Sequence, residues 1–368
     1  MRKGKSISRF AQRFRRNALA KPALVYILLV LLVAIFCYPL SPDDSTDANT
    51  TILEIGTRAP GFSCYFLKRD FPEAPLPETR WQYLVNGKTP NAEWIPIQHY
   101  QVKGDSLVVQ HILDESLTET LTYSLSSLQS ASKPKANSIQ SMIVKRTFWL
   151  GTDRYGRDVL SRLLMGSRVS MSVGCIAVIL SMLIGILLGA VSGYFGGFID
   201  SVISWLIQVL WAIPTLLLVF AITFALGKGF WQIFIAVGLT MWVGTARLIR
   251  GQVLSLREME YIQAAKVMGF SSTRILLRHI LPNVMGPSIV MAASNFATAI
   301  LIEAGLSFLG IGIQPPSSSW GLMIKENYNF IITNRPMLAI IPGLAIMLIV
   351  LAFNILGNAL RDALDVKA

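Results

Sequence analysis

The chain has 368 residues, of which 53% are hydrophobic and only 15% charged, and its formal net charge is +12. The apolar residues come in long blocks, which is typical of membrane proteins and excludes a single large soluble core. Cys37 and Cys175 lie inside apolar blocks and Cys64 stands alone, so the three cysteines provide no disulfide framework and are expected to serve in packing.

The first 21 residues form a basic tail without any acidic residue. Its Lys and Arg residues are Arg2, Lys3, Lys5, Arg9, Arg13, Arg15, Arg16 and Lys21. A nucleic-acid-binding arm is the competing interpretation, but the apolar block at 22–40 follows at once and favours a juxtamembrane anchor. We therefore expect membrane lipid, and no nucleic acid, as a partner of this tail.

The apolar block at 22–40 predicts an uncleaved first transmembrane helix. It is longer than the apolar region of a signal peptide, which spans about 7–15 residues, and no small-x-small cleavage site follows it.

Residues 41–168 form a long polar segment that includes a predicted small α+β or β-rich domain. The stretch 94–113 predicts a β-hairpin, and 129–141 predicts a flexible exit from the domain. His99 and His111 lie near those strands without a second ligand at a metal-binding spacing, so we interpret them as solvated strand residues and expect no metal site.

Five further apolar segments are long enough to cross a bilayer, which with 22–40 predicts an all-α membrane fold of six transmembrane helices. They lie at 169–193, 201–226, 230–246, 287–309 and 337–357. The 247–286 loop carries six Lys and Arg residues, whereas the connections 227–229 and 312–336 carry only Lys228, Lys325 and Arg335. The positive-inside rule then places both termini and the loop in the cytoplasm, and 41–168 outside.

Three features stand out inside these segments. Gly185, Gly189 and Gly193 predict close packing against a neighbouring helix. Pro214 should kink the third span, and gating and packing are equally good explanations for it. Glu303 is a carboxylate deep in an apolar run, where a structural hydrogen bond is at least as good an explanation as a substrate contact. Pro214 and Glu303 are therefore the candidate pathway residues.

The polar insert at 258–282 predicts a helix, a glycine elbow and a second helix. Residues 261–267 favour a helix, Gly269 can supply the turn, residues 271–273 offer N-caps, and 274–280 can form the second helix before Pro282 stops it at the membrane. This pattern indicates docking rather than chemistry.

An outer motif precedes the second span. Asp158 can cap the following segment, whose apolar stripe at 159–164 predicts an interfacial helix. A solvated structural turn and a docking element for a partner protein are both compatible with this motif. The chain shows no catalytic constellation and no phosphate-binding glycine loop, so ATP hydrolysis would belong to other chains.

Four stretches together resemble one known family. They are LGTDRYGRD at 150–158, the loop at 263–282, LSFLGIG at 306–312 with the following QPP and SWG, and LRDALD at 360–365. The chain resembles a permease subunit of an ATP-binding-cassette importer of the dipeptide, oligopeptide and nickel branch, of the second-permease type. The resemblance covers about 148 to the C-terminus and the first span, and leaves 41–145 outside it.

The resemblance implies a permease core at 169–368 whose loop at 250–286 inserts a coupling helix into a cytoplasmic ATPase subunit. The family pattern has Glu where this chain has Gln263 and Ile where it has His279. Its retained positions are Ala264, Ala265, Gly269, Leu281 and Pro282. The two alanines would let the helix approach its partner closely. The outer motif comprises Gly151, Thr152, Asp153, Gly156, Arg157 and Asp158.

The function implied by the resemblance is that of a non-enzymatic half of a peptide translocation pathway in the bacterial cytoplasmic membrane. Its partners would be a second permease subunit, two cytoplasmic ATP-binding subunits and an extracytoplasmic substrate-binding protein. ATP and Mg would be used by the ATPase subunits, with no cofactor bound to this chain. An ion-coupled secondary transporter is the alternative, and it should show several intramembrane ionisable groups and internal repeats. A membrane-anchored enzyme would need a cluster of catalytic acids, bases or metal ligands in 41–150, and the sequence shows none. The identity of the transported substrate cannot be read from the sequence.

Overall fold

The structure is a computed structural model that describes residues 12–14, 17–71, 78–114, 117–124, 142–227, 229–333 and 335–364. Most of the basic tail, the predicted flexible exit at 129–141 and Lys228 lie outside the described residues, as does the end of the last family motif at Asp365.

Helices account for most of the described chain. In order they are α1 Ala20–Ile35, α2 Cys37–Leu40, α3 Arg80–Asn86, α4 Val159–Phe195, α5 Gly197–Ala212, α6 Thr215–Leu226, α7 Phe230–Arg257, α8 Glu260–Val267, α9 Ser272–Ile275, α10 Leu281–Phe308, α11 Trp320–Asn327 and α12 Met337–Leu364. The strands are β1 Phe62–Asp70, β2 Ala92–Lys103, β3 Ser106–Ile112, β4 Thr118–Ser124 and β5 Ile143–Phe148.

The chain divides into two compact units, and α1, α4 and α12 contribute residues to both. The helical unit comprises Met1–Leu31, Val169–Gln314 and Gly343–Ala368. The sheet unit comprises Leu32–Arg168 and Pro315–Pro342. Each unit is described by itself below.

The sheet unit is built on a five-stranded antiparallel sheet in the order β4-β3-β2-β1-β5. The predicted hairpin at 94–113 is confirmed as β2 and β3, whose tight turn places Gly104 at φ +61°. Glycine is suited to that left-handed position because it has no Cβ.

Alternate residues of the sheet pack on its two faces, as the two-residue period of a strand requires. Phe66 and Phe148 pack on one side with Ile55, whereas Leu67 packs on the other with Ile97. His99 is exposed and His111 is half-buried near Glu54, with 3.9 Å between its Nε2 and the carboxylate.

Four helices are long and apolar enough to cross a membrane, namely α4, α7, α12 and the continuous segment Ser272–Phe308. Helices α5 and α6 would make a fifth span if the two are counted as one, but the chain bends by 98° at the break between them. The apolar helix α1 has 16 residues, which is about 24 Å of helix. The described chain is thus mostly helical, with four or five membrane-capable spans and a small antiparallel sheet.

Two predicted boundaries differ from the structure. The interfacial helix expected after Asp158 and the span expected from 169 form one continuous helix, α4, because no proline interrupts 159–195. Pro282 does not stop the helix before it either, since Ser272–Phe308 is continuous through a π-helical turn at Leu276–Ile280.

The predicted close packing of the glycine series is confirmed, with α7 as the neighbouring helix. A Cβ added to Gly185 would lie 2.5 Å from the Thr245 Cβ, and one added to Gly189 would lie 2.5 Å from the Ala246 carbonyl oxygen. Gly193 approaches Val253 in the same way one turn further on. These glycines let the backbones of α4 and α7 come together.

Candidate functional site

The polar insert folds as the sequence predicts over its first half. Helix α8 ends at Val267, and Gly269 reverses the chain with φ +77°, a left-handed conformation that favours glycine. The Ser271 hydroxyl then accepts a hydrogen bond from the Arg274 backbone N–H at 3.4 Å, which caps α9. The helix, elbow and helix are therefore all present.

One face of the insert is anchored on the chain's own helices. Ile262, Ala265, Ile275 and Ile280 are buried in a cluster with residues of α4 and α7. Burial of these side chains stabilises the insert as a rigid projection of the helical unit. Ala265 is only 2% exposed, so it packs inside this chain and is not available for direct contact with a partner.

The opposite face of the insert exposes apolar side chains. Val267 is 89% exposed, and Met268 and Leu277 are exposed by 64% and 61%. Ala264 lies on the same open side of α8. Large apolar side chains that remain in solvent at the end of a well-anchored helix indicate a contact surface for another protein. We call Ala264, Val267, Met268 and Leu277 the exposed face of the insert.

The two residues that depart from the family pattern are used within the chain. The Gln263 side-chain amide donates to the Arg257 carbonyl oxygen at 3.0 Å, which joins the start of α8 to the end of α7. The His279 ring stacks on Phe270 with 6.2 Å between centroids, and the Arg274 guanidinium covers the same Phe270 ring at 4.3 Å. His279 is thus half-buried and packed within the insert.

The π-helical turn explains how Pro282 fits inside a continuous helix. Proline lacks an N–H group and its ring normally clashes with the carbonyl four residues earlier. The wider turn at Leu276–Ile280 shifts the hydrogen-bond register immediately before the proline. The Asn283 side chain, next in sequence, donates to the His279 carbonyl oxygen at 2.5 Å. The chain therefore continues into α10 without a break.

The outer motif forms a buried turn in the sheet unit. Gly151 and Gly156 have φ +78° and +71°, and a Cβ on either would collide with a backbone oxygen of the 52–58 segment. The Thr152 hydroxyl donates to the Ile55 carbonyl at 2.5 Å and accepts from the Arg58 N–H at 2.8 Å. The motif's glycines are therefore required by close backbone approach, and the turn is not solvated as one interpretation had it.

Four charged side chains form a buried network around the outer motif. The Asp153 carboxylate lies 2.7 Å from the Arg157 guanidinium and 3.0 Å from that of Arg162. The Glu326 carboxylate on α11 lies 2.8 Å from Arg157 and 3.0 Å from Arg162. The two guanidinium groups and the two carboxylates give the network no net charge. Buried charges need such pairing because a buried ion without a partner is strongly destabilising. Neither Arg162 nor Glu326 was predicted from the sequence, in which only the spacing of Asp153 and Arg157 by four residues indicates an ion pair.

Burial sets the protonation behaviour of these acids. Burial raises the pKa of Asp153 and of Glu326, and the Arg157 guanidinium beside both opposes that rise. Burial also raises the pKa of Asp158, whose carboxylate accepts from the Ser161 hydroxyl and from the Ser161 N–H at 2.9 Å. The prediction that Asp158 caps the following helix is confirmed by that last contact.

Pro214 lies at the break of the bent pair. It directly precedes α6 and follows the end of α5, so the predicted kink is a bend of 98°. A groove of about 310 Å³ opens beside this break. Its lining includes Trp211, Thr215, Asn295 and Thr298 from three helices. The break thus places polar side chains on an open side of the helical unit.

Glu303 is fully buried and does not line that groove. Its carboxylate accepts a hydrogen bond from the Ser307 hydroxyl on the same helix at 2.7 Å and from the Ser170 hydroxyl on α4 at 3.4 Å. Glu303 thus links α10 to α4 through hydrogen bonds. Of the two roles predicted for it, this geometry fits the structural one.

Two family models match the chain. Residues 185–368 match the binding-protein-dependent transport system inner membrane component family, and residues 7–60 match the N-terminal transmembrane domain of oligopeptide transport permease C. Residues 61–184, which include the whole sheet, lie outside both matches.

Curated relatives are similar over most of their own lengths. A dipeptide transport system permease protein of Alkalihalophilus pseudofirmus is 42% identical over 60% of this chain and 72% of its own. A glutathione transport system permease protein of Pectobacterium atrosepticum is 43% identical over the same shares. An oligopeptide transport system permease protein of Bacillus subtilis is 38% identical over 67% of this chain and 77% of its own.

A solved structure of the MetNI methionine ABC transporter, in an inward-facing conformation, is a distant match. It aligns over 54% of this chain and 96% of its own with a TM-score of 0.42 and 16% identity.

Proposed function

The chain belongs to the family of binding-protein-dependent transport system inner membrane components, and from that premise we propose that it forms half of the translocation pathway of an ATP-driven peptide importer. The observation that carries the proposal is the insert, which is anchored on its buried face and apolar on its exposed face. The family match gives no support to the ion-coupled alternative.

The exposed face of the insert docks on a cytoplasmic ATPase subunit. Val267, Met268 and Leu277 would bury their apolar surface in a cleft of that subunit, at roughly 25 cal/mol for each Å² removed from water. The buried face, which includes Ala265, then passes movement of the ATPase to α4, α7 and α10. Rigid anchoring matters because a loosely held loop would absorb the movement.

The full importer would contain this chain, a second permease subunit, two ATP-binding subunits and an extracytoplasmic substrate-binding protein. ATP and Mg would act in the ATP-binding subunits, so this chain is a pathway and coupling subunit rather than an enzyme. The core at 169–368 supplies the pathway and the coupling loop at 250–286. The segment at 41–168 would meet the substrate-binding protein or the second permease.

Six transmembrane spans in a bacterial cytoplasmic membrane complete the proposal. The first is α1 with the short helix after it, and the third is the bent pair α5 and α6 counted as one. Both termini and the insert face the cytoplasm, as the distribution of Lys and Arg favours.

Peptides are the proposed substrate class because the relatives named above are permeases for a dipeptide, an oligopeptide or glutathione. The groove beside Pro214 supports a route along this side of the helical unit, since the exposed Thr215 and Thr298 hydroxyls lie in its otherwise mostly apolar lining.

Substitutions on the exposed face test the coupling proposal. We expect Val267→Asp and Ala264→Glu to abolish co-purification with the ATPase subunits and ATP-dependent uptake, because each would place a charge in an apolar contact. The insert itself should stay folded, since neither side chain is buried. Co-purification and proteoliposome uptake are the measurements.

The matched control is Val267→Ile, which keeps an apolar side chain at the same exposed position. Ala265→Glu is a poor probe of docking because it disrupts the chain's own cluster. Normal assembly and uptake in both Val267→Asp and Ala264→Glu would refute docking through this face.

A further inference from the structure

A cleft of about 480 Å³ opens in the helical unit between α5 and α7. Ser204, Gln208 and Trp211 line it from α5, and Arg247 and Arg250 line it from α7. None of these residues was singled out by the sequence motifs. The cleft shares Trp211 with the groove beside Pro214, so the two openings adjoin at that side chain.

The charge of Arg250 is already balanced. Its Nε lies 2.6 Å and its Nη2 lies 2.7 Å from the two carboxylate oxygens of Asp200, which is a bidentate ion pair. The Ser192 and Ser204 hydroxyls also donate to Asp200. This pair therefore contributes no net charge to the cleft.

Arg247 supplies a cation that no carboxylate of the described residues neutralises. Its guanidinium lies over the Trp211 ring, 5.0 Å from the centroid, and the side chain is exposed. No carboxylate of the described residues lies within salt-bridge distance of it. Among the described residues, the Arg247 guanidinium thus has an aromatic ring beside it and no carboxylate partner.

The position of Arg247 makes lipid hydrocarbon an unsuitable neighbour. It directly follows the apolar stretch 230–246 on a membrane-capable helix, where an unpaired guanidinium must face water or an anion. The adjoining groove carries exposed Thr215 and Thr298 and the amide of Asn295. The exposed hydroxyls of Thr215 and Thr298 therefore lie on the same side of the helical unit as the break at Pro214.

We propose that Arg247, held over Trp211, binds the carboxylate of a peptide on its way through the importer. The inference rests on the proposed function and adds a specificity-determining residue to it. A guanidinium fork matches a carboxylate with two parallel hydrogen bonds, which a lysine ammonium cannot reproduce. A phospholipid phosphate offers the same oxyanion chemistry, so the test must separate these two sources.

The test uses the complete importer in proteoliposomes with saturating binding protein and two probes, trialanine and trialanine amide. We expect Arg247→Gln to lower the maximal rate of trialanine uptake about tenfold or more, as the loss of a charge-assisted hydrogen-bond pair predicts. Uptake of the amide should change far less, and Arg247→Lys should recover only part of the trialanine rate. Arg361→Gln, which removes an exposed guanidinium near the end of α12, should change neither rate.

The lipid source is tested by repeating the assay in phosphatidylcholine alone and with added phosphatidylglycerol. A defect of Arg247→Gln that is equal for both peptides, or that appears only with the anionic lipid, would overturn the carboxylate proposal. If the unmodified importer takes up trialanine but Arg247→Gln leaves its rate unchanged, the inference fails while the proposed function stands. No ATP-dependent uptake of trialanine by the unmodified importer would count against the proposed peptide function instead.

A charge-rescue measurement applies even where the binding protein rejects the amide. Arg247→Cys is made in a chain with Cys37, Cys64 and Cys175 replaced by serine, and the new thiol is converted to a mixed disulfide. An ethylammonium reagent should restore trialanine uptake severalfold more than a neutral methyl reagent. Equal effects of the two reagents would contradict an anion-binding role.

Discussion

Glu303 is fully buried, and its carboxylate accepts hydrogen bonds from the Ser307 and Ser170 hydroxyls, which gives it a structural role. We expect Glu303→Gln to retain ATP-dependent uptake within about twofold, because the amide oxygen can still accept from one of the two hydroxyls and the amide N–H group can donate to the other. Glu303→Leu should lower the thermal midpoint of the purified chain, since each buried polar group left unsatisfied costs about 1–3 kcal/mol.

Uptake in proteoliposomes and thermal unfolding of the purified chain measure the two Glu303 effects, with Glu93→Gln on the exposed side of β2 as the control. Loss of uptake in Glu303→Gln at an unchanged midpoint would show that the charge itself is needed, as an ion-coupled mechanism requires.

Residue roles in the outer motif were only partly readable from the sequence. Gly151 and Gly156 were correctly grouped with Asp153 and Arg157, but the burial of the turn was not foreseen. Glu326 is 169 residues away from Arg157, and a single sequence carries no signal that joins them. The network therefore had to come from the fold.

At the scale of elements, the contact between α4 and α7 depends on backbone proximity at three glycines. We expect Gly189→Leu to destabilise the chain by about 1–3 kcal/mol or more, because its side chain would collide with the Ala246 backbone and with Ile249. Thermal unfolding of the purified chain is the measurement.

Gly251→Leu is the matched control, since Gly251 is on the exposed side of α7 and a Cβ there meets nothing within 4 Å. If Gly251→Leu lowers the stability as much as Gly189→Leu does, the loss at Gly189 does not come from its close contact with α7. The close-packing argument would then fail.

Helix boundaries were less predictable than helix positions. The pattern at 261–275 contained a cap and a glycine, and the structure uses both. Pro282 was expected to end a helix because proline usually does, but the preceding π-helical turn removes the conflict. Ile275 and Ile280, before and at the end of that turn, are both buried in the cluster that anchors the insert.

For the whole molecule, the proposed topology predicts which side of the membrane each unit meets. We expect Lys103→Cys to react with an impermeant maleimide in intact spheroplasts, and Lys266→Cys to react only after permeabilisation. Both lysines are exposed in the structure, so accessibility of the folded chain does not decide the outcome.

Replacement of Cys175 by serine removes the exposed native thiol from this experiment, since Cys37 and Cys64 are buried. Labelling of Lys266→Cys in intact spheroplasts, with Lys103→Cys protected, would reverse the topology and place the insert away from cytoplasmic ATPase subunits.

The sequence by itself determined the membrane character, the apolar segments, the hairpin and the helix–glycine–helix order of the insert, because these follow from composition, period and local turn chemistry. Only the tertiary structure decided which alanine of the insert faces outward, where Glu303 bonds, and that Arg247 is left without an ion-pair partner among the described residues. Those outcomes depend on contacts between side chains that are far apart in the sequence. A pattern of residues that are close in the sequence does not predict such contacts.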